Sequence, residues 1–218
     1  MKAYLIHKRG YTERFGQIIA NLYNTISLSR VEIVFAEASS LVFPETDEHL
    51  IHEWMRTYIK SEVPLFGRIT APEQSLFHKH YVAFSDIAES GNPGLVFEDD
   101  AQFHPADLDR FISQISQIPP GWDFVYFGTG CGLRASGNGF IRRTEDLKGK
   151  CTDSMLVSPE AASRIVRDWN KGGVFLPVDW DLNVRLNKFE MNVYWFEPAF
   201  VVQGSQNGRF SSEIRTSQ

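Results

Sequence analysis

Leu95-Val96-Phe97 runs straight into Glu98-Asp99-Asp100, so three consecutive carboxylates stand at the carboxyl end of an apolar segment. If that segment is a buried strand, Glu98 and Asp100 share a face about 6 to 7 Å apart. At an effective dielectric near 20 their repulsion is roughly 2.5 kcal/mol. A hard divalent cation would offset it, since Mg²⁺ or Mn²⁺ commonly takes one or two carboxylates together with substrate phosphates. Ligands of open α/β sheets also bind beyond the carboxyl ends of strands. The alternative is a solvated loop in which Asp99 or Asp100 serves as a turn residue or helix cap.

A second acidic pair, Asp179 and Asp181, follows Phe175-Leu176-Pro177-Val178 and precedes Leu182, Val184 and Leu186. An Asp just before such a stretch is a good N-cap. Residues two apart on a helix do not share a face, so at most one of the pair looks into a site. A carboxylate at a helix N-terminus suits a base that takes a proton from a hydroxyl. His80 lies on or beside the apolar face of a helix, where a histidine is more often a core residue than a ligand.

The elements that must position these groups follow from periodicity. Lys2 to His7 reads as a buried first strand. Phe15, Ile18, Ile19, Leu22, Tyr23 and Ile26 then fall on one helix face, and Val31 to Phe35 forms a second strand. This strand, helix, strand opening is the βαβ pattern of an α/β fold. Helices are expected over His49 to Lys60, with Leu50, Trp54, Met55 and Tyr58 at helical spacing, and over Pro72 to Glu89, with a loop from Pro64 to Pro72 between them. The strand Leu95 to Phe97 comes next, then a helix marked by Leu108, Phe111, Ile112 and Ile115 and a strand from Trp122 to Phe127. Gly128 to Lys150 shows no period and reads as a long loop or irregular hairpin, the kind of segment that is usually functional. Met155 to Val157, a helix through Trp169, and late strands at Val193 to Phe196 and Phe200 to Val202 complete the pattern.

With 218 residues and 43% apolar content the chain can bury a full core as one domain, 1–218, without disulfide or metal staples. Cys131 and Cys151 fit two thiols or one bridge, and thiols are the default in a cytosolic chain. A net charge of −5 argues against nucleic-acid binding, which relies on clustered positive charge. No apolar run approaches the length that spans a bilayer, so the expectation is a cytoplasmic protein, compatible with peripheral association with a membrane-bound acceptor.

Read together, these segments resemble the glycosyltransferase family 25 domain, the group of lipooligosaccharide transferases and collagen galactosyltransferase domains. The opening strand with Arg14 in the next helix resembles the family's first block. Thr70-Ala71-Pro72-Glu73 with Lys79-His80 resembles its next, although Ser75-Leu76 stands where the family prefers Gly-Cys and Lys79 where it prefers Ser. Leu95 to Ala101 is similar to its apolar strand and acidic triplet, and Met155 to Ser158 with Ala161-Ala162 to its later strand and helix. Leu176-Pro177-Val178-Asp179 resembles its Pro-x-Asp block, and Glu197 to Gln203 with Ser211 to Ile214 its end.

The resemblance implies a GT-A type fold, α/β with a mostly parallel central sheet flanked by helices, and inversion at the sugar carbon. It implies a nucleoside-diphosphate sugar donor, a UDP-sugar favoured, with Mn²⁺ or Mg²⁺, and a glycan or glycoconjugate acceptor. By resemblance Asp100 and Glu98 bind the metal, and Glu98, Asp99, Glu73, His80, Arg14 and Gln203 contact the donor. Asp179 is the expected base, with Asp181 second. Arg134, Arg142 and Arg143 in the long loop are candidates to clamp diphosphate or acceptor. Two other classes remain: a metal-dependent phosphoryl-transfer or phosphoester-cleaving enzyme, and an inactive glycan-binding module of the same fold.

Overall fold

The computed structural model describes residues 1–35, 41–45, 47–64 and 66–211. Strand β1 (Lys2–Ile6) leads through helix α1 (Thr12–Tyr23) into β2 (Arg30–Val34), which pairs parallel to it. Helices α2 (Glu48–Tyr58) and α3 (Ala71–Ser90) precede β3 (Gly94–Glu98), which pairs parallel to β1 on its other side. Then come β4 (Ala101–Gln102), α4 (Pro105–Gln114), β5 (Phe124–Tyr126), β6 (Gly139–Arg143), β7 (Ser154–Val157), α5 (Pro159–Gly172), α6 (Val178–Lys188), β8 (Val193–Glu197) and β9 (Val202–Gln203).

Among the described residues seven strands form one sheet in the order β2-β1-β3-β7-β5-β8-β6. Only β7 and β6 run against the rest, so the sheet is mostly parallel. Side chains alternate across it as the period of two requires. Tyr4, Ile6, Val96, Tyr126 and Met155 meet α3, α5 and α6 on one face, while Ala3, Leu5, Leu95, Val125 and Leu156 meet α1 and α4 on the other. The result is the expected α/β fold, a mostly parallel sheet with helices on both sides. Trp169 of α5 anchors the first face, with Phe77 and Phe84 of α3 at ring-centroid distances of 4.9 and 5.4 Å. Such aromatic pairs contribute roughly 0.5–1.5 kcal/mol beyond the area they bury.

α3 sets the depth of the site, and its ends are encoded locally. Thr70 and Glu73 form a capping box, Pro72 sits in the first turn, and Gly91 closes the helix in the left-handed region. At its far end α3 presses so close to the sheet that a Cβ on Gly94 would lie 2.6 Å from Ile87 Cγ1.

Several expectations need correction. Tyr23 and Ile26 do not pack on the sheet: they are 69% and 92% exposed, because α1 ends at Tyr23 and its buried stripe is Ile18 and Leu22. Leu50 is likewise exposed, and Ile51 and Met55 turn inward. The segment Gly128 to Lys150 is not a loop or a hairpin of its own. Its residues Gly139–Arg143 form the edge strand β6 on β8, and the Gly-rich, basic composition that hid this strand is what protects an edge from further pairing. The pairing also places Arg142 and Arg143 beside Tyr194 and Val193, at the start of β8 and away from the carboxyl ends of the parallel strands. Arg142 donates to Asn192 Oδ1 at 2.7 Å, and Arg143 lies over the Trp195 ring and against Glu145. Arg134 donates to the carbonyls of Thr129 and Leu133. None of the three lines the main cleft.

Candidate active site

Beyond the carboxyl ends of β1 and β3 lies a cleft of about 360 Å³, within the usual range for small-molecule sites. Its walls include Tyr11, Arg14, Lys79, the triplet Glu98 to Asp100, Gln203 and Ser205. The small sheet made by β4 and β9 brings Gln203 opposite Ala101 and so carries the C-terminal segment over the triplet.

The three carboxylates have different partners. Glu98, the last residue of β3, accepts a hydrogen bond from Thr152 Oγ1, and His80 Nε2 lies 3.4 Å from the same oxygen. Asp99 is held from one side of the cleft: His7 Nδ1 at 2.8 Å and the Lys8 amide at 3.1 Å meet Oδ2, and Arg14 Nη1 stands 3.4 Å from Oδ1. Asp100 accepts from the Ser205 amide at 3.1 Å through Oδ2, whereas its buried Oδ1 has no partner among the described residues. A buried acceptor left without a donor is costly unless a ligand satisfies it. The amide oxygen of Gln203 is likewise buried and unpartnered at the cleft.

Burial sets the electrostatics. It pushes the Glu98 carboxyl well above the usual carboxylate range, and the charge of Asp100 adds to the effect. Burial raises Asp100 too, against the hydrogen bonds from Ser205. Asp153, one residue before β7, is 1% exposed and is pushed up to about 7, chiefly by burial. Its carbonyl accepts from the Glu98 amide at 3.0 Å, which ties it to the triplet. Gly128 makes room for it, since a Cβ there would sit 2.2 Å from Asp153 Oδ2.

Glu98, Asp99, Asp100, Arg14 and Gln203 therefore meet at one cleft, and four other expectations are corrected. Glu73 is absent from the cleft wall because its carboxylate caps α3, accepting from the Thr70 amide at 2.7 Å and the Thr70 hydroxyl at 2.6 Å. His80 is fully buried behind Glu98 and touches no cleft space. Burial depresses its imidazole to about 3, so it stays neutral and positions Glu98. Asp181 is fully buried as well, accepting from Trp169 Nε1 at 2.7 Å and pairing with Arg185, which excludes it as a base for an incoming hydroxyl. Asp179 is absent from the cleft wall too, and it is not an N-cap: Pro177 holds that position, and Asp179 stands in the first turn of α6, half-buried, with its carboxylate on the Trp180 amide at 2.9 Å. Its pKa is raised by burial, and the charge of Glu73 contributes. Of the C-terminal block, the residues after Ser211 lie outside the described ones.

Sequence reasoning passed over Lys79, Tyr11, Ser205 and Asp153 as site residues. Lys79 reaches the cleft from α3 and donates to Ser75 Oγ at 2.6 Å; the i to i+4 spacing of Ser75 and Lys79 was the available signal. Arg14 lies 4.3 Å from the centroid of the Tyr11 ring, over its face. Ser205 carried no signal, because its place depends on β9 crossing to β4. Among the described residues, no group of three or more His, Cys, Asp or Glu side chains is gathered closely enough to hold a metal ion alone.

No protein-family model matches the sequence, and a search of the curated proteins finds no match. Solved structures of similar fold include a glycosyltransferase involved in the glycosylation of the major capsid of PBCV-1. It is 13% identical, with 95% of this chain and 96% of that chain covered and a TM-score of 0.48. A CMP:2-keto-3-deoxy-manno-octonic acid synthetase complexed with CTP is 6% identical, with 92% and 91% covered and a TM-score of 0.49. A Drosophila beta-1,4-galactosyltransferase 7 in complex with manganese, UDP-Gal and xylobiose is 10% identical, with 99% and 76% covered and a TM-score of 0.46. At these identities the likeness is one of overall fold alone. No helix among the described residues is long and apolar enough to cross a membrane.

Proposed function

We propose that this chain is a metal-dependent, inverting glycosyltransferase of the family 25 type, with a GT-A fold. It would move a sugar from a nucleoside diphosphate, UDP first among them, to a hydroxyl of a glycan or glycoconjugate. The observation that carries the reading is Asp100 Oδ1, a buried and unpartnered carboxylate oxygen on a cleft that also presents Lys8, Arg14 and Lys79. Acid and base side by side suit a ligand that is itself an anion bridged by a cation.

The donor set fits such an ion. Asp100 would hold it, with Glu98 adjacent, since such ions are commonly bound through one or two carboxylates together with substrate phosphates. When bound, Mn²⁺ or Mg²⁺ supplies positive charge opposite the departing nucleoside diphosphate. The remaining work falls to the chain. Arg14, already fixed by Asp99, and Lys79 face the leaving group, where their charges stabilise the phosphate oxygen that receives the bonding electrons. Asp179 takes the proton of the acceptor hydroxyl as that oxygen attacks the sugar carbon from the opposite side. Its raised pKa makes it a better base than an exposed carboxylate.

The test is a thermal-shift screen of nucleotide-sugars and free nucleotides with Mn²⁺, since a ligand of the folded state raises the melting temperature with affinity and concentration. The expected result is Mn²⁺-dependent stabilisation by one nucleotide-sugar and its nucleoside diphosphate. Stabilisation by CTP alone would turn the reading to nucleotidyl transfer, and none by any nucleotide would overturn it.

A further inference from the structure

Cys131 and Cys151, far apart in sequence, have their sulfurs 3.1 Å apart. Both are free thiols, Cys131 exposed and Cys151 half-buried. The approach is built into the backbone. Gly130 lies flat against Cys151, so that a Cβ at 130 would come within 2.7 Å of the Cys151 amide nitrogen and 2.9 Å of its Cβ. Cys131 itself sits in the left-handed region at φ 50°, where a side chain is strained. Gln206, from the C-terminal segment, secures both residues. Its Oε1 accepts from the Cys131 amide at 2.9 Å, and its Nε2 donates to Cys151 Sγ at 3.2 Å and reaches Cys131 Sγ at 3.7 Å.

We propose that Cys131 and Cys151 form a reversible redox pair that is oxidised to an intramolecular disulfide by exchange with a small-molecule disulfide. Cys131, the exposed partner, attacks one sulfur of that disulfide as a thiolate, forming a mixed disulfide and releasing one small thiolate. Cys151 then loses its proton to solvent and attacks Cys131 Sγ. The protein disulfide forms, the mixed disulfide breaks, and the second small thiol leaves. Two electrons pass from the protein to the oxidant, which is reduced to two thiols. The hydrogen bond from Cys151 holds Cys131 down to about 7, so the exposed sulfur is the one ionised near neutrality. The hydrogen bond with Cys131, and after it burial, push Cys151 upward, which suits the resolving position.

The bridge would tie the turn Gly130–Gly132 to the residues that lead into β7. Asp179 stands close enough for its charge to raise the pKa of both thiols, so the pair borders the proposed base without being part of it.

The experiment treats the folded wild-type chain and the Cys131→Ser and Cys151→Ser variants with oxidised glutathione, then quenches with acid and alkylates. The expected wild-type product has lost two hydrogen masses, takes up no alkylating agent, reverts with reductant, and yields a peptide linking residues 131 and 151. Cys151→Ser should trap glutathione at Cys131 at least tenfold faster than Cys131→Ser traps it at Cys151. A wild-type chain that keeps both thiols alkylatable, holds a stable glutathione adduct, or links only between molecules overturns the proposal. The wild-type arm decides this without either variant.

Discussion

Trp169 Nε1 donates to Asp181 Oδ2 at 2.7 Å while Arg185 takes the other oxygen, so the carboxylate two residues after Asp179 is enclosed by α5 and α6. Removing one member of a fully buried pair leaves the other charge uncompensated. Asp181→Ala should therefore cost roughly 3–5 kcal/mol of stability, whereas Asp179→Ala, at a half-buried position, should cost under about 1 kcal/mol. Urea unfolding of the two variants side by side checks the assignment, and equal losses would contradict it.

Asp179→Asn should leave nucleotide affinity unchanged and lower transfer by roughly 10²–10⁴-fold, the usual contribution of a positioned base. Single-turnover transfer measured with saturating donor separates the two effects. Weaker donor binding with unchanged chemistry would place Asp179 in the donor site instead.

Asp100→Asn should abolish Mn²⁺-dependent binding of a nucleoside diphosphate while the fold persists, because the unpartnered oxygen at Oδ1 loses its charge. Chelating the metal from wild type should have the same effect. Titration calorimetry provides the measurement, and an unaltered nucleotide and metal affinity in the variant would remove Asp100 from the site.

Asp153 gives the pH dependence a sign. Its folded-state pKa of about 7 exceeds the unfolded value near 3.9, so between those values the folded chain holds a proton that the unfolded chain has released. Stability falls as pH rises through that window, by up to roughly 1.4 kcal/mol per unit, and levels off above it. Asp153→Asn, which cannot ionise, should match wild type near pH 4, exceed it by a margin that grows to about pH 7 and keep that margin above it. Denaturant unfolding across that range tests this, and a constant difference would show that Asp153 is ionised throughout.

Much of the fold was legible because its signals are local. The apolar run before Glu98 had to be a buried strand, and the helix expected over Pro72 to Glu89 is α3, which the structure starts on the capping box of Thr70 and Glu73. That same capping box shows where local reading failed. A Glu next to a candidate site looks like a ligand until the structure shows its carboxylate turned back on the helix end. β6 was missed for a related reason: an edge strand has one neighbour and needs only a half-apolar sequence.

The sequence alone determined that an acidic triplet ends a buried strand of an α/β chain and that Asp179 and Asp181 cannot both face one site. Those conclusions follow from strand and helix period, which depend on neighbours in the chain. Only the tertiary structure decided which carboxylates are available. Arg185 and Thr70 claim Asp181 and Glu73, while Asp100 keeps one oxygen without a partner among the described residues. Hydrogen-bond satisfaction is a property of packed surfaces, and the partners come together only when the helices and the C-terminal segment close on the sheet.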